Sequence, residues 1–206
     1  MKTRLMPVIL TGLTAFFMLV LTGSAALAAE TPALSTEAAR MGENPVILIG
    51  FEPDEPIFLA GVNGGEVKDY VVVSDDRQQG EGAGMITFDV SDPTQSWSGA
   101  RVGRAFSPAL SIPGYRKLGL WIKGDGLKHS VIVGFHDGVY DGSVWFDFEH
   151  AGWQHFVVDF GSFANQWQLD RLDWSHITRV FIEFADGAGT LKNKGTVVLD
   201  ELVLAK

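Results

Sequence analysis

Six tryptophans, five histidines and 25 carboxylates are the groups through which this 206-residue chain could do chemistry. Trp145 stands two residues before Asp147, and His136, Tyr140 and Trp121 lie in the same stretch. Trp97 comes four residues before Arg101. Flat indole faces flanked by carboxylate, imidazole, phenol and guanidinium groups suit a ligand with an apolar C–H face and a fringe of hydroxyls, which describes a pyranose ring. The blander reading is that some tryptophans only close the edges of a sandwich. Trp153 and Trp174, next to apolar runs, fit that better.

Two acids stand out by their surroundings. Glu52 ends the run Ile47-Leu48-Ile49-Gly50-Phe51-Glu52, and Asp200 sits inside Val197-Val198-Leu199-Asp200-Glu201-Leu202. A carboxylate inside an apolar strand is costly unless it is paired or bound to a cation. If the first and last strands are neighbours, the two could share a calcium ion, with carbonyls from the turn Gln79-Gly80-Glu81-Gly82-Ala83-Gly84. Asp125-Gly126, Asp137-Gly138, Asp141-Gly142 and Asp186-Gly187 read instead as turn chemistry, as does Asp75-Asp76. Signatures of nucleophile elbows, zinc proteases, phosphate loops and dinucleotide folds are absent from the sequence. Asp147 and Glu149 would stand about 7 Å apart on one strand face, the spacing of a glycosidase pair, but without a cleft pattern around them. The expectation is therefore a protein that is not an enzyme.

Composition narrows the classes further. The chain has no Cys, which excludes disulfides, thiolate zinc sites, a Cys nucleophile and a lipid-anchored N-terminus. A formal net charge of −9 makes nucleic acid and anionic lipid poor partners, since both need clustered Lys and Arg.

The elements that must position these groups are strands. Residues 1–28 read as an export signal, with Lys2 and Arg4, an apolar run and Ala26-Leu27-Ala28 before the cut, leaving no stable membrane insertion. The product is expected in a periplasm or outside the cell. Residues 29–44 read as a flexible tether, and residues 45–206 as one domain. Short β-rich runs recur there at Val46–Phe51, Tyr70–Ser74, Gly84–Val90, Lys117–Lys123, Ser130–His136, Ser143–Phe148, Gln154–Phe160, Arg179–Phe184 and Thr196–Leu204. Gly- and Asp-rich breaks separate them, with one short helical turn around Gly161–Gln168. This spacing predicts an all-β antiparallel sandwich. Alternation puts Leu118, Leu120, Ile122, Val131, Val133, Phe135, Val144, Phe146 and Phe148 inward. It turns Trp121, His136, Trp145 and Asp147 outward together.

Longer strings carry a resemblance. Leu118-Gly119-Leu120-Trp121-Ile122-Lys123-Gly124-Asp125-Gly126, followed by Gly152-Trp153-Gln154-His155-Phe156-Val157-Val158-Asp159-Phe160-Gly161-Ser162-Phe163, resembles the layout of galactose-binding-like jelly rolls. That layout is shared by carbohydrate-binding modules, especially of the family 11 type, and by domains like the complex-I-intermediate-associated protein. The opening Gly50-Phe51-Glu52, Leu172-Asp173-Trp174-Ser175-His176-Ile177 and the closing Val198-Leu199-Asp200-Glu201-Leu202 are similar too. The resemblance implies a jelly roll with a structural calcium held by Glu52 and Asp200, and a glycan across the concave sheet or loop rim. The leading expectation is a secreted, non-catalytic carbohydrate-binding protein. Trp121 and Trp145 would stack on a polysaccharide or oligosaccharide, Asp147, His136, Tyr140 and Arg101 would bind its hydroxyls, and Trp97 would extend the site. The alternatives are an exported assembly-factor domain that meets a protein partner, and a jelly-roll lyase or hydrolase.

Overall fold

The computed structural model describes residues 45–160, 166–186 and 194–206. The signal and tether assigned to residues 1–28 and 29–44 lie outside the described residues. No helix among the described residues is long and apolar enough to cross a membrane.

The described chain forms ten strands and one 3₁₀ turn (Leu169–Arg171). The strands are β1 (Val46–Ile49), β2 (Phe58–Val62), β3 (Glu66–Val73), β4 (Ala83–Asp89), β5 (Gly99–Leu110), β6 (Lys117–His136), β7 (Asp141–Asp159), β8 (Gln166–Trp167), β9 (Ile177–Ala185) and β10 (Lys194–Ala205). Every pairing is antiparallel. The all-β expectation holds.

Two layers arise from one long hairpin. β6 and β7 run 20 and 19 residues, well beyond an ordinary strand. Their pairing slips between Asp125 and Lys128, beside Gly126 (φ 85°), and the ribbon changes sheets there. Before the slip, Lys117–Lys123 pairs with β10; after it, Ser130–His136 pairs with β9. One layer therefore runs β2-β5-β9-β6-β7-β8, and the other joins β3, β4, β10 and the opposite halves of β6 and β7, with β1 on β10. Phe88 of β4 stacks on Phe184 of β9 with ring centroids 4.4 Å apart, so the layers meet face to face. The inward Leu118, Leu120, Ile122, Val131, Val133, Phe135 and Val144 are fully buried between them, as the alternation predicts.

Three readings change. The four runs expected at Lys117–Phe160 are two continuous strands, because the glycines at the bend are absorbed by a bulge instead of a loop. β5 was not legible as a strand: its outward residues Gly99, Arg101 and Gly103 mask the alternation of Ala100 and Val102. The helical turn expected at Gly161–Gln168 overlaps residues 161–165, outside the described residues; Gln166–Trp167 is strand, and the 3₁₀ turn follows it.

Candidate functional site: an aromatic groove on one sheet

The outer face of the first layer is built by register. Arg101 on β5 stands opposite Glu183 on β9, Glu183 opposite Ile132 on β6, and Ile132 opposite Trp145 on β7. One row down, Phe181 faces Gly134, Gly134 faces Ser143, and Ser143 faces Trp167 on β8. Directly opposed residues share a face, so these side chains rise from the same side. Of these, Arg101, Ile132, Ser143, Trp167, Phe181 and Glu183, together with Trp97, Asp141 and Gly142, line a groove of about 320 Å³.

Its floor depends on two glycines. A Cβ on Gly134 would lie 2.1 Å from the Phe181 ring, so only glycine lets that ring lie across β6. A Cβ on Gly99 would lie 2.4 Å from Oε1 of Glu183, so glycine also makes room for this carboxylate. Arg101 then lies over Phe181, its guanidinium carbon 4.4 Å from the ring centre, and its Nε donates to Oε2 of Glu183. Phe181 and Glu183 are buried although they point away from the core. Burial lifts the Glu183 carboxyl above its ordinary range, and the Arg101 charge opposes this only in part.

The expected residues divide between this groove and elsewhere. Trp97 and Arg101 line it. Trp145 is half-buried on the same face, and Asp147 beside it pairs with Lys128 at 3.2 Å. His136 closes one end of β6, its Nδ1 3.0 Å from Oδ1 of Asp141, a groove residue. Tyr140 sits at the hairpin tip under Arg171, whose guanidinium carbon is 4.2 Å from the ring centre. Trp121 does face outward, but not with Trp145: it lies in the other layer, opposite Asp200 and stacked on His155 at 4.6 Å. Eleven residues separate it from Ile132, about 36 Å of strand. Trp174, expected in a structural role, packs on Phe135 and Phe160 and donates its indole N–H to Leu169 O. Asp125 and Asp137 accept from the N–H two residues on, as turn acids should. Asp141-Gly142, expected as a turn, instead opens β7.

Trp167, Phe181 and Glu183 were not among the expected residues. Glu183 carries the same signal as Asp200, an acid within an apolar strand (Val180-Phe181-Ile182-Glu183-Phe184-Ala185). Trp167 fell in the segment read as helical.

The acids expected at a calcium lie together at the other layer. Asp200 is buried; its Oδ2 accepts from the N–H groups of Gln78 (2.6 Å) and Gln79 (2.8 Å), and its Oδ1 has no partner. Burial above all, with Glu201 and Glu52 adding negative potential, pushes its carboxyl up to about 7. Glu52 accepts from Glu81 N–H at 2.9 Å and lies against Gly80. The turn thus meets the acids with N–H groups, not the expected carbonyls, and Gly80 O is taken by Arg77. No cluster of three or more His, Asp or Glu arranged for a metal occurs among the described residues. The buried, unpartnered Asp200 oxygen beside a second carboxylate still fits a hard cation.

No family model and no curated protein matches the sequence. Solved structures do match by shape. The family 11 carbohydrate-binding module from Clostridium thermocellum, in complex with a β-1,3-1,4-mixed-linked tetrasaccharide, superimposes with TM-score 0.56 at 16% identity, over 78% of this chain and 94% of that one. A family 30 carbohydrate-binding module gives 0.54 at 15%, over 80% and 89%. An exo-β-agarase gives 0.55 at 13%, but only 25% of that chain is covered. The chain has the jelly-roll fold of carbohydrate-binding modules.

Proposed function

We propose that this protein is a non-catalytic carbohydrate-binding domain whose glycan lies in the groove between Trp97 and Trp167, with Trp145 extending the aromatic surface. The observation that carries the reading is the groove itself. It is lined by the indoles of Trp97 and Trp167, by an Arg lying over a Phe ring, and by the carboxylates of Asp141 and Glu183. Apolar faces would take the C–H side of a sugar ring, and the polar groups its hydroxyls. Both groove carboxylates already have protein partners, Asp141 with His136 and Glu183 with Arg101, which suits binding better than proton transfer. The shared fold supports the class of ligand, as the family 11 module was solved with a β-1,3-1,4-mixed-linked tetrasaccharide.

Calcium belongs to the same proposal as a structural ion. Asp200 Oδ1 and Glu52 would hold it, and it would neutralise the charge at the junction of the first strand, the last strand and the Gln78–Glu81 turn. A secreted or periplasmic location completes the reading, supported by the leader-like composition of residues 1–28.

The test is affinity electrophoresis in gels containing mixed-linkage β-glucan, galactan or xylan. Retention on at least one neutral polymer is expected, weakened about ten-fold by Trp167→Ala, with unchanged thermal melting. A well-folded protein retained by no polymer overturns the reading.

A further inference from the structure

The carboxylate under the groove has a single partner. Glu183 is fully buried; Arg101 Nε donates to its Oε2, and its Oε1 has no hydrogen-bond partner among the described residues. Packed over Gly99 in this way, it is out of reach of a ligand and can act on one only through the residue it holds. The Arg101 side chain is 32% exposed, lies over Phe181 and lines the groove. Its Nε bond to Glu183 is its one hydrogen bond among the described residues, so its terminal N–H groups are left for a ligand. A long side chain open to water keeps one place only while something fixes it, and an ion pair to a buried partner does so more firmly than one in solvent. The charged groups of this face are Arg101 on β5, Arg179 on β9, His136 and Lys128 on β6, and Asp141 and Asp147 on β7. Of these, only Arg101 bears on the protonation of Glu183.

We infer that Glu183 is a positioning residue: from beneath the groove its carboxylate holds Arg101 over Phe181, and binding of glycan hydroxyls by the Arg101 terminal N–H groups depends on that hold. This rests on the glycan-binding reading and adds its regulation by pH. Burial makes Glu183 take up its proton above the ordinary glutamate range; the ion pair is then lost, and Arg101 is released to solvent. Retention of a glycan therefore weakens toward acid. The Glu183 contribution to stability moves the other way, since a raised carboxyl favours the folded chain as pH falls, so unfolding at this group does not imitate the effect.

Affinity electrophoresis on a retaining neutral polymer, from above neutrality down to the ordinary glutamate range and with calcium saturating, tests this. Wild-type retention should weaken about five-fold toward acid. Glu183→Gln should show the weakened value throughout. Arg101→Ala should be as weak, and adding Glu183→Gln to it should change nothing further, because the two residues act as one unit. A fall with pH that Arg101→Ala shares with wild type belongs to the His136–Asp141 pair. If Glu183→Gln stays within two-fold of wild type, or weakens retention equally with and without Arg101, while Trp167→Ala abolishes retention, the positioning role is wrong and the glycan reading stands. If Glu183→Gln does not fold, wild type and Arg101→Ala decide: parallel pH profiles overturn the role. No retention on any neutral polymer overturns both.

Discussion

At the scale of single residues, the groove and the acids at the other layer make separable claims. Trp97→Ala and Trp167→Ala should each weaken glycan retention about ten-fold, whereas Trp121→Ala, in the other layer, should leave it within two-fold. Titration calorimetry on the three variants distinguishes the groove from the Trp121 surface. Glu183 also sets a pH dependence of stability. Its folded-state value is raised, so the folded chain holds this proton more tightly than the unfolded chain does. Its contribution is therefore most favourable below the ordinary glutamate value and is lost as pH rises through the raised one. With calcium saturating, to hold Asp200 in one state, melting temperature should fall over that interval in wild type. The fall should be shallower in Glu183→Gln, and identical profiles would contradict the assignment.

At the scale of elements, the groove exists because neighbouring strands leave gaps for one another's side chains. Gly134→Ala places a methyl where the Phe181 ring lies, so the ring and the Arg101 on it must move. Crowding of this kind costs about 1–3 kcal/mol, a few degrees of melting for a domain of this size. Glycan retention should fall by more than the stability loss explains, which calorimetry and affinity gels on the same variant would show. Such dependence is also why the site was only half legible. The inward residues of β6 and of the first half of β7 alternate and are legible in the sequence, as are the outward Trp145 and the acid Asp200 inside its apolar run; β10 is buried without a break from Val197 to Ala205 and offers no alternation to read. β5 and β9 break the pattern, because on the outward face of β5 Arg101 stands between Gly99 and Gly103, which carry no side chains, while Phe181 and Glu183 are buried on that of β9. Nor could alternation show that β6 changes sheets at a bulge, which is what parts Trp121 from Trp145.

At the scale of the whole molecule, the chain is acidic and closes its two layers at a place where carboxylates converge. Asp200 lies opposite Trp121 on β6, and the segment from Gln78 to Glu81 hydrogen-bonds to both Asp200 and Glu52. An ion bound only by the folded state raises stability in step with its concentration, by about 2.7 kcal/mol at a hundred-fold excess over its dissociation constant. Millimolar calcium should therefore raise the melting temperature by several degrees, and EDTA should reverse this. Asp200→Asn should melt at the same temperature with or without the ion; a calcium response that survives this substitution would place the ion elsewhere. The net charge of −9 has a further consequence. Anionic polysaccharides should be excluded most strongly at low salt, where repulsion is least screened.

The most direct measurement is a titration of the ¹⁵N-labelled protein with mixed-linkage β-glucan oligosaccharide, followed through the indole N–H resonances of its six tryptophans. The account expects Trp97 and Trp167 to shift with one binding curve, along with the backbone amides of Arg101, Ser143 and Glu183, while Trp121 stays still. Shifts confined to Trp121 and His155, with a still groove, would contradict it.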